Sequence, residues 1–416
     1  MKIKPTSEKA KSASKVSSRS HLGERVPRLR FPGFEGEWKE RCLETFMSSR
    51  DERQVPSPDA PLMAFIANLG VAPKGERYDR EYLVKSKDKE YKRTEFNDFI
   101  YSSNNLDVGS IGLNKYGRAV ISDVYEIFTV KDDYAPEFIS ELVQRPRNLH
   151  KVLRFRQGCL YGQYRIFASD FLNVKLLAPD KEEQFKIAGF LHQIDSRITA
   201  QRKLVELLKK HKRGLHSAIF GQKCRVVNAD GKPWPAWRQV RIGDIFQERS
   251  ERGGTADELL SVTINNGVKR QADTDKKDSS SEDKSNYKKV LPGDIVYNTM
   301  RMWQGASGVS PWAGIVSPAY TVIYPLGRQN TIFWAYAFKY WRLIQEFQKF
   351  SQGLTSDTWN LKYPQLSDIH VYEPSIDEQD AIVNILSMLD ERVMAAEQEL
   401  NKMRNLKSGL LQQLFV

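Results

Sequence analysis

The sequence predicts an α/β (α+β) protein in which two similar globular domains are joined by two long antiparallel coiled-coil helices in a pseudo-twofold arrangement. Three observations predict it: the chain is written twice, each copy closes on a heptad helix, and the two helices carry matching charge gradients.

The repeat is the first. PDKEEQ (179–184) and PSIDEQ (374–379) stand 195 positions apart, each followed by an apolar helical run. At that offset Ile187 meets Ile382, Leu191 meets Leu386, Asp195 meets Asp390, and the match ends together on Phe220 and Phe415. Upstream, Gln157-Gly158 falls on Gln352-Gly353. Nearer the start the offset drifts to 199, pairing Trp38-Lys39 with Trp237-Arg238, as insertions in surface loops produce. A gapless match of this length marks a duplicated unit, and its period governs the whole reading.

The seam is the second. Ile187, Leu191, Ile194, Ile198, Gln201, Val205, Leu208, Lys212 and Leu215 step by four and three. Ile382, Leu386, Leu389, Val393, Ala396, Leu400, Met403, Lys407 and Leu410 repeat the steps. Such a heptad stripe is the pattern of a coiled coil. Pro179 and Pro374 stand just outside, and Ser375-x-x-Glu378 is read as a capping box, with Asp180 and Glu183 in the related role.

Charge is the third. Residues 180–220 hold nine Lys/Arg and five acids, and residues 375–415 hold four and seven; both helices start acidic and finish basic. Laid antiparallel, each basic end meets the other's acidic end. At 1.5 Å per residue such a helix is roughly 57 Å long.

In chain order the expected parts are a disordered basic arm (1–27), a first globular domain (28–178), a long helix (179–221), a turn-rich linker (222–236), a second globular domain (237–373) and a second long helix (374–416). The arm is Lys- and Ser-rich and has little apolar surface to bury. The domains alternate β-rich runs such as AVISDVYEIFTV (119–130) and GIVSPAYTVIYP (314–325) with helix-like runs such as 331–350. With 40% hydrophobic and 28% charged residues, the chain reads as globular; no run of about 18 apolar residues suggests a membrane span. Three cysteines, Cys42, Cys159 and Cys224, without metal spacing, point to a reducing, cytoplasmic setting. A net charge of +12 points to an anionic partner, most simply nucleic acid.

Catalytic motifs are missing. There is no phosphate loop and no dinucleotide turn, and the six histidines never take metal-ligand spacing. Asp79 with Glu90-Tyr91-Lys92 only loosely matches a nuclease pattern. The chain is therefore expected to hold no metal and no active site of its own. What it carries instead is basic residues interleaved with aromatics and amides. These supply Lys74, Arg77, Lys115, Arg118, Arg154, Arg156, Gln163, Tyr164 and Arg165 in the first domain as candidate DNA contacts. The second domain supplies Arg301, Trp303, Gln304, Thr355, Ser356, Trp359, Asn360 and Lys362. Arg and Lys suit phosphates and guanine edges, amides suit adenine, and apolar groups suit the thymine methyl.

Three sets of residues carry a family resemblance: PRLRFPGFEGEW (27–38), MRMWQGASGVSPWAGIVSPAY (300–320), and the two Pro…Glu-Gln…Leu…Asp helices ending GLHSAIF and GLLQQLF. With these the chain resembles type I restriction–modification specificity (S) subunits over nearly its whole length past the arm. The resemblance implies that each globular domain is a target recognition domain for one half of a split DNA site. It implies that the paired helices act as a ruler and dock two modification (methyltransferase) subunits. It implies that S-adenosylmethionine, ATP and Mg are used by partner subunits, restriction subunits among them, and that this chain binds no cofactor itself. The first copy departs from the second after Gln157-Gly158, where LTSDTWN has no counterpart. Two other readings use part of the pattern: a coiled-coil scaffold that binds proteins, and a stand-alone nuclease built on Glu90 and Lys92.

Overall fold

A computed structural model describes residues 25–66, 70–73, 88–104, 106, 110–158, 164–228, 230–254, 257–264, 267–274 and 283–416. The chain divides into two compact units, residues 1–200 with 400–416, and residues 201–399. The division falls inside the two long helices, Lys181–Phe220 and Ile376–Leu414.

The first unit is built on a four-stranded antiparallel sheet in the order Met47–Ser49, Tyr125–Val130, Phe99–Ser102, Ile111–Leu113. Beside it lies a three-stranded sheet, Arg53–Gln54, Tyr91–Thr94, Ala119–Ile121. Lys39–Cys42 pairs with Lys175–Ala178 and brings the two ends of the domain together, just before the long helix begins. The run 119–130 thus splits into two strands, turning at Ser122–Val124, where Tyr125 N–H reaches the Ser122 carbonyl.

The second unit repeats the plan. Its four-stranded sheet runs Phe246–Glu248, Tyr320–Pro325, Ile295–Asn298, Ser307–Val309, and Arg238–Arg241 pairs with His370–Glu373 to close the domain. Residues 331–350 form two helices, Thr331–Ala337 and Trp341–Phe350, rather than one. The side chain of Asn330 caps the first by accepting from the Ile332 and Phe333 amides.

Each unit buries aromatic rings against both long helices. In the first, Trp38 packs edge-on against Phe138 and Phe415, while Ile187, Leu191, Leu411 and Leu414 complete the core. In the second, Trp237 meets Phe333 and Phe220, joined by Ile219, Ile382 and Leu386. The ring pairs sit at matching positions of the repeat, so one duplicated sequence solves one burial problem twice.

Within each unit the helix segments run antiparallel. In the first, Lys407 Nζ donates to Asp195 and to Glu141, both at 3.0 Å. Burial works against the Lys407 charge, but the two carboxylates outweigh it and raise its pKa. In the second, Lys212 pairs with Asp390, Lys209 lies 2.5 Å from Glu397, and Gln201 Nε2 donates to the Ala396 carbonyl at 2.9 Å. Seam residues Ile187, Leu191, Ile198, Val205, Ile382, Leu386, Leu389, Val393 and Leu400 are buried; Ile194, Leu208, Leu215, Met403 and Leu410 are half-buried. Lys212 and Lys407 occupy seam positions, and a buried polar residue there specifies register at a cost in stability.

The Glu-Gln pair that opens each helix is a structural device. Glu183 accepts Arg30 Nε at 2.9 Å and Nη2 at 2.8 Å, and Glu378 accepts Arg225 Nη2 at 3.1 and 3.0 Å. Gln184 Nε2 donates to the Pro179 carbonyl and Gln379 Nε2 to that of Pro374. This corrects the expected capping box. The Glu378 amide does donate to Ser375 Oγ at 3.3 Å, but the Glu378 carboxylate turns to Arg225 instead of back to the cap. Asp180 likewise spends its carboxylate on Arg41 and Lys39 rather than on its helix. The expected linker also has a fixed role, because its Arg225 forms that pair and its Val227 bridges Pro233. At the other end, Arg25 at the close of the expected basic arm is tied in, its carbonyl accepting from Trp38 N–H.

Candidate nucleic-acid interface

The candidate contacts fall on two loop systems in each domain, a short ribbon and a turn next to the edge strand of the four-stranded sheet. Gln157–Gly158 pairs with Tyr164–Arg165 as a short hairpin. Gln352 and Asn360 exchange both backbone hydrogen bonds at the matching place in the second domain. A two-stranded ribbon of this kind has the dimensions of the major groove.

On the first hairpin Tyr164 is 55% exposed, with the Arg156 guanidinium 5.8 Å from its ring centre. Arg165 stacks over Phe167 at 5.0 Å and donates to Glu126 at 3.0 Å; Glu126 also accepts Lys92 Nζ at 2.8 Å. Arg154 is exposed and its side chain has no partner among the described residues. Beneath the hairpin Tyr101 donates to the Ile166 carbonyl, and burial pushes its phenol well above its usual range.

The second loop of this domain is shaped by Asn114, whose buried carboxamide accepts from the Tyr116 and Gly117 amides and donates to Thr94 and the Gly117 carbonyl. That turn presents Lys115, Tyr116 and Arg118. Lys115 Nζ bonds Asn97 and Glu137 and lies 5.2 Å from the Phe96 ring centre. Burial would raise the Glu137 carboxyl, but Lys115 holds it below its ordinary value. Arg118 reaches Glu95 at 2.9 Å. Lys115, Arg118 and Arg165 are therefore held by carboxylates within the domain, so contacting phosphate requires sharing or exchanging those partners. Lys74, Arg77 and Gln163 lie outside the described residues.

In the second domain a turn over Met302–Gln304 ends at Gly305, in the left-handed region at φ 78°. Lys339 pins the base of this turn, donating to the carbonyls of Gly305, Ser307 and Ile264; burial pushes its pKa down to about 8. Trp303 donates to the Met300 carbonyl and packs edge-on against Trp359 at 5.1 Å. Arg301 and Lys362 are exposed, their side chains without a partner among the described residues, and Gln304 is half-buried.

The Thr355 hydroxyl lies 3.4 Å from that of Thr358, which accepts the Thr355 amide and donates to the Thr355 carbonyl. Asn360 turns its carboxamide oxygen inward, buried without a partner. Thr355 and Asn360 thus shape the hairpin more than they present groups outward, leaving Ser356 as the exposed hydroxyl. Sequence reasoning passed over Leu354, Tyr116 and Phe96, all strongly exposed; a place at a turn tip was the signal that could have found them.

The nuclease alternative loses its lysine. Lys92 sits in strand Tyr91–Thr94, 8% exposed and paired with Glu126, while Asp79 lies outside the described residues. Among the described residues no cluster of His, Cys, Asp or Glu could hold a metal ion, and no helix is long and apolar enough to cross a membrane.

Duplicated α+β domains, each closed against a pair of antiparallel helices, define the fold class. No protein-family model matches the chain. Among solved structures it resembles the type I restriction–modification S subunit from M. genitalium, with a TM-score of 0.57 and 15% identity over 94% of this chain and 99% of that one. It also resembles a structure described for complex assembly and conformational transition of the type I restriction–modification system, with a TM-score of 0.50 and 16% identity over 94% and 99%. The chain has the S-subunit fold.

Proposed function

We propose that this chain is the DNA-specificity subunit of a type I restriction–modification complex, reading a two-part site with one domain per half. The observation that carries the reading is the fold likeness along 94% of the chain to an S subunit spanned almost completely. The strand pairings of 157–158 with 164–165 and of Gln352 with Asn360 support it, since both occupy the same place in their domains and both are flanked by exposed arginine or lysine with aromatics. Arg154, Arg301 and Lys362 supply salt-dependent phosphate affinity, and the hairpin side chains supply base discrimination.

The chain contributes no chemistry of its own in this reading. Two modification subunits dock on the long helices and methylate adenine with S-adenosylmethionine, and restriction subunits add ATP- and Mg-dependent cleavage. Co-expression with a type I modification subunit, followed by single-molecule methylation mapping, tests it. The expected result is one split motif with a fixed spacer. Exchanging residues 28–178 for another such domain then changes one half only. An unsplit motif, or a change in both halves, refutes the reading. A scaffold without DNA specificity predicts no methylated motif at all.

A further inference from the structure

One side chain in the second domain stands apart. Leu354 is 101% exposed, while the next most exposed large apolar side chain among the described residues, Leu406, is at 60%. Single exposed apolar residues are ordinary on protein surfaces, so exposure alone decides nothing. What distinguishes Leu354 is the rigidity of its mount.

It follows Gly353, whose φ of +142° and close approach admit no side chain: a Cβ there would lie 2.6 Å from the Thr358 carbonyl oxygen. The turn after it is locked, with the Thr355 carbonyl accepting from the Thr358 and Trp359 amides and the two threonine hydroxyls bonded locally. At its base Gln352 and Asn360 exchange backbone bonds, and the Leu361 amide donates to the Thr299 carbonyl. A fixed ribbon thus holds a branched aliphatic group with nothing against it. Asp357 is exposed on the same turn. A carboxylate is repelled by phosphates and tolerated where a turn faces base edges, while Arg301 and Lys362 remain unpaired for the backbone.

We infer that the 352–360 hairpin enters the major groove of the half-site read by the second domain and that Leu354 packs on the C5-methyl of a thymine there. Thymine alone among the bases presents an apolar group in that groove. The inference rests on the DNA-specificity reading above and gives it one base.

The test uses the full-length chain and a duplex enriched by it from a random pool, with each thymine of the motif replaced in turn by deoxyuridine, which lacks only the methyl. Wild-type affinity is expected to fall about fourfold at one position of one half-site, the worth of one buried methyl group. Leu354→Ala is expected to bind more weakly and to lose sensitivity at that position alone; Leu354→Met is expected to keep it. Failure to enrich any duplex would remove both this inference and its parent. Enrichment of a motif indifferent to every exchange, or one in which Leu354→Ala leaves the sensitivity intact, would overturn the methyl contact and leave DNA reading standing. A rise in 2-aminopurine fluorescence that depends on Leu354, with no methyl sensitivity, would identify an unstacking wedge and equally overturn it.

Discussion

Replacing Glu183 by alanine should cost the first unit about 3–5 kcal/mol, the range for truncating one partner of a buried ion pair. The structure places Glu183 at that end of the scale. Its side chain is 3% exposed and Arg30 16% exposed, and the guanidinium offers Nε and Nη2 to separate oxygens in a fork. Removing the carboxylate leaves the guanidinium, among the described residues, with the Glu35 and Gly36 carbonyls it already holds and no counter-charge. The duplicate supplies an internal control. Arg225 is 30% exposed and meets Glu378 through one nitrogen, Nη2, which it shares with the Pro235 carbonyl. The stranded cation can rehydrate more easily there, so Glu378→Ala should cost less, about 2–3 kcal/mol. Urea unfolding followed by hydrogen exchange, resolved over peptides 181–200 and 376–399, separates the two losses. A double-mutant cycle with Arg30→Met should return about 2 kcal/mol or more of coupling. Glu183→Ala unfolding at wild-type urea, or additive single mutants, would refute the idea that this pair fixes the start of the helix.

Two further outcomes follow from the geometry. Gly353→Ala forces a Cβ to within 2.6 Å of the Thr358 carbonyl, a local strain of about 1–3 kcal/mol; methylation mapping should show one half of the motif relaxed and the other unchanged. His216 lies with its Nε2 2.9 Å from the Tyr336 carbonyl, and burial lowers its pKa, the nearby Lys212 adding to the effect against Asp390. Its folded value lies below the ordinary 6.5, so the unfolded chain takes up the proton first. Stability present above pH 6.5 should therefore be lost as pH falls toward the folded value, and His216→Phe should flatten the unfolding free energy between pH 7 and 5.

What the sequence made legible was whatever repeats with a period. The seam from Ile187 to Leu215 and from Ile382 to Leu410 declares itself because burial on one helix face imposes steps of three and four, and the structure buries or half-buries each of those residues. The partners of single polar side chains have no such period. Glu183 and Glu378 look like capping residues within a six-residue window, yet their partners Arg30 and Arg225 lie 153 positions away in each copy, and no local rule reaches that far. The same blindness acts in the candidate interface. Lys115, Arg118 and Arg165 read as free cations in the sequence, because the acids that hold them, Glu137, Glu95 and Glu126, lie elsewhere in the chain, on a helix, a turn and a strand. Composition detects charge but not whether it has been spent. The duplication narrows the gap, since a pair that recurs at the same separation in both copies is a structural requirement of the unit. Residues that differ between copies at matching places, such as Tyr164 and the run from Leu354 to Trp359, are left for what the two domains must do differently.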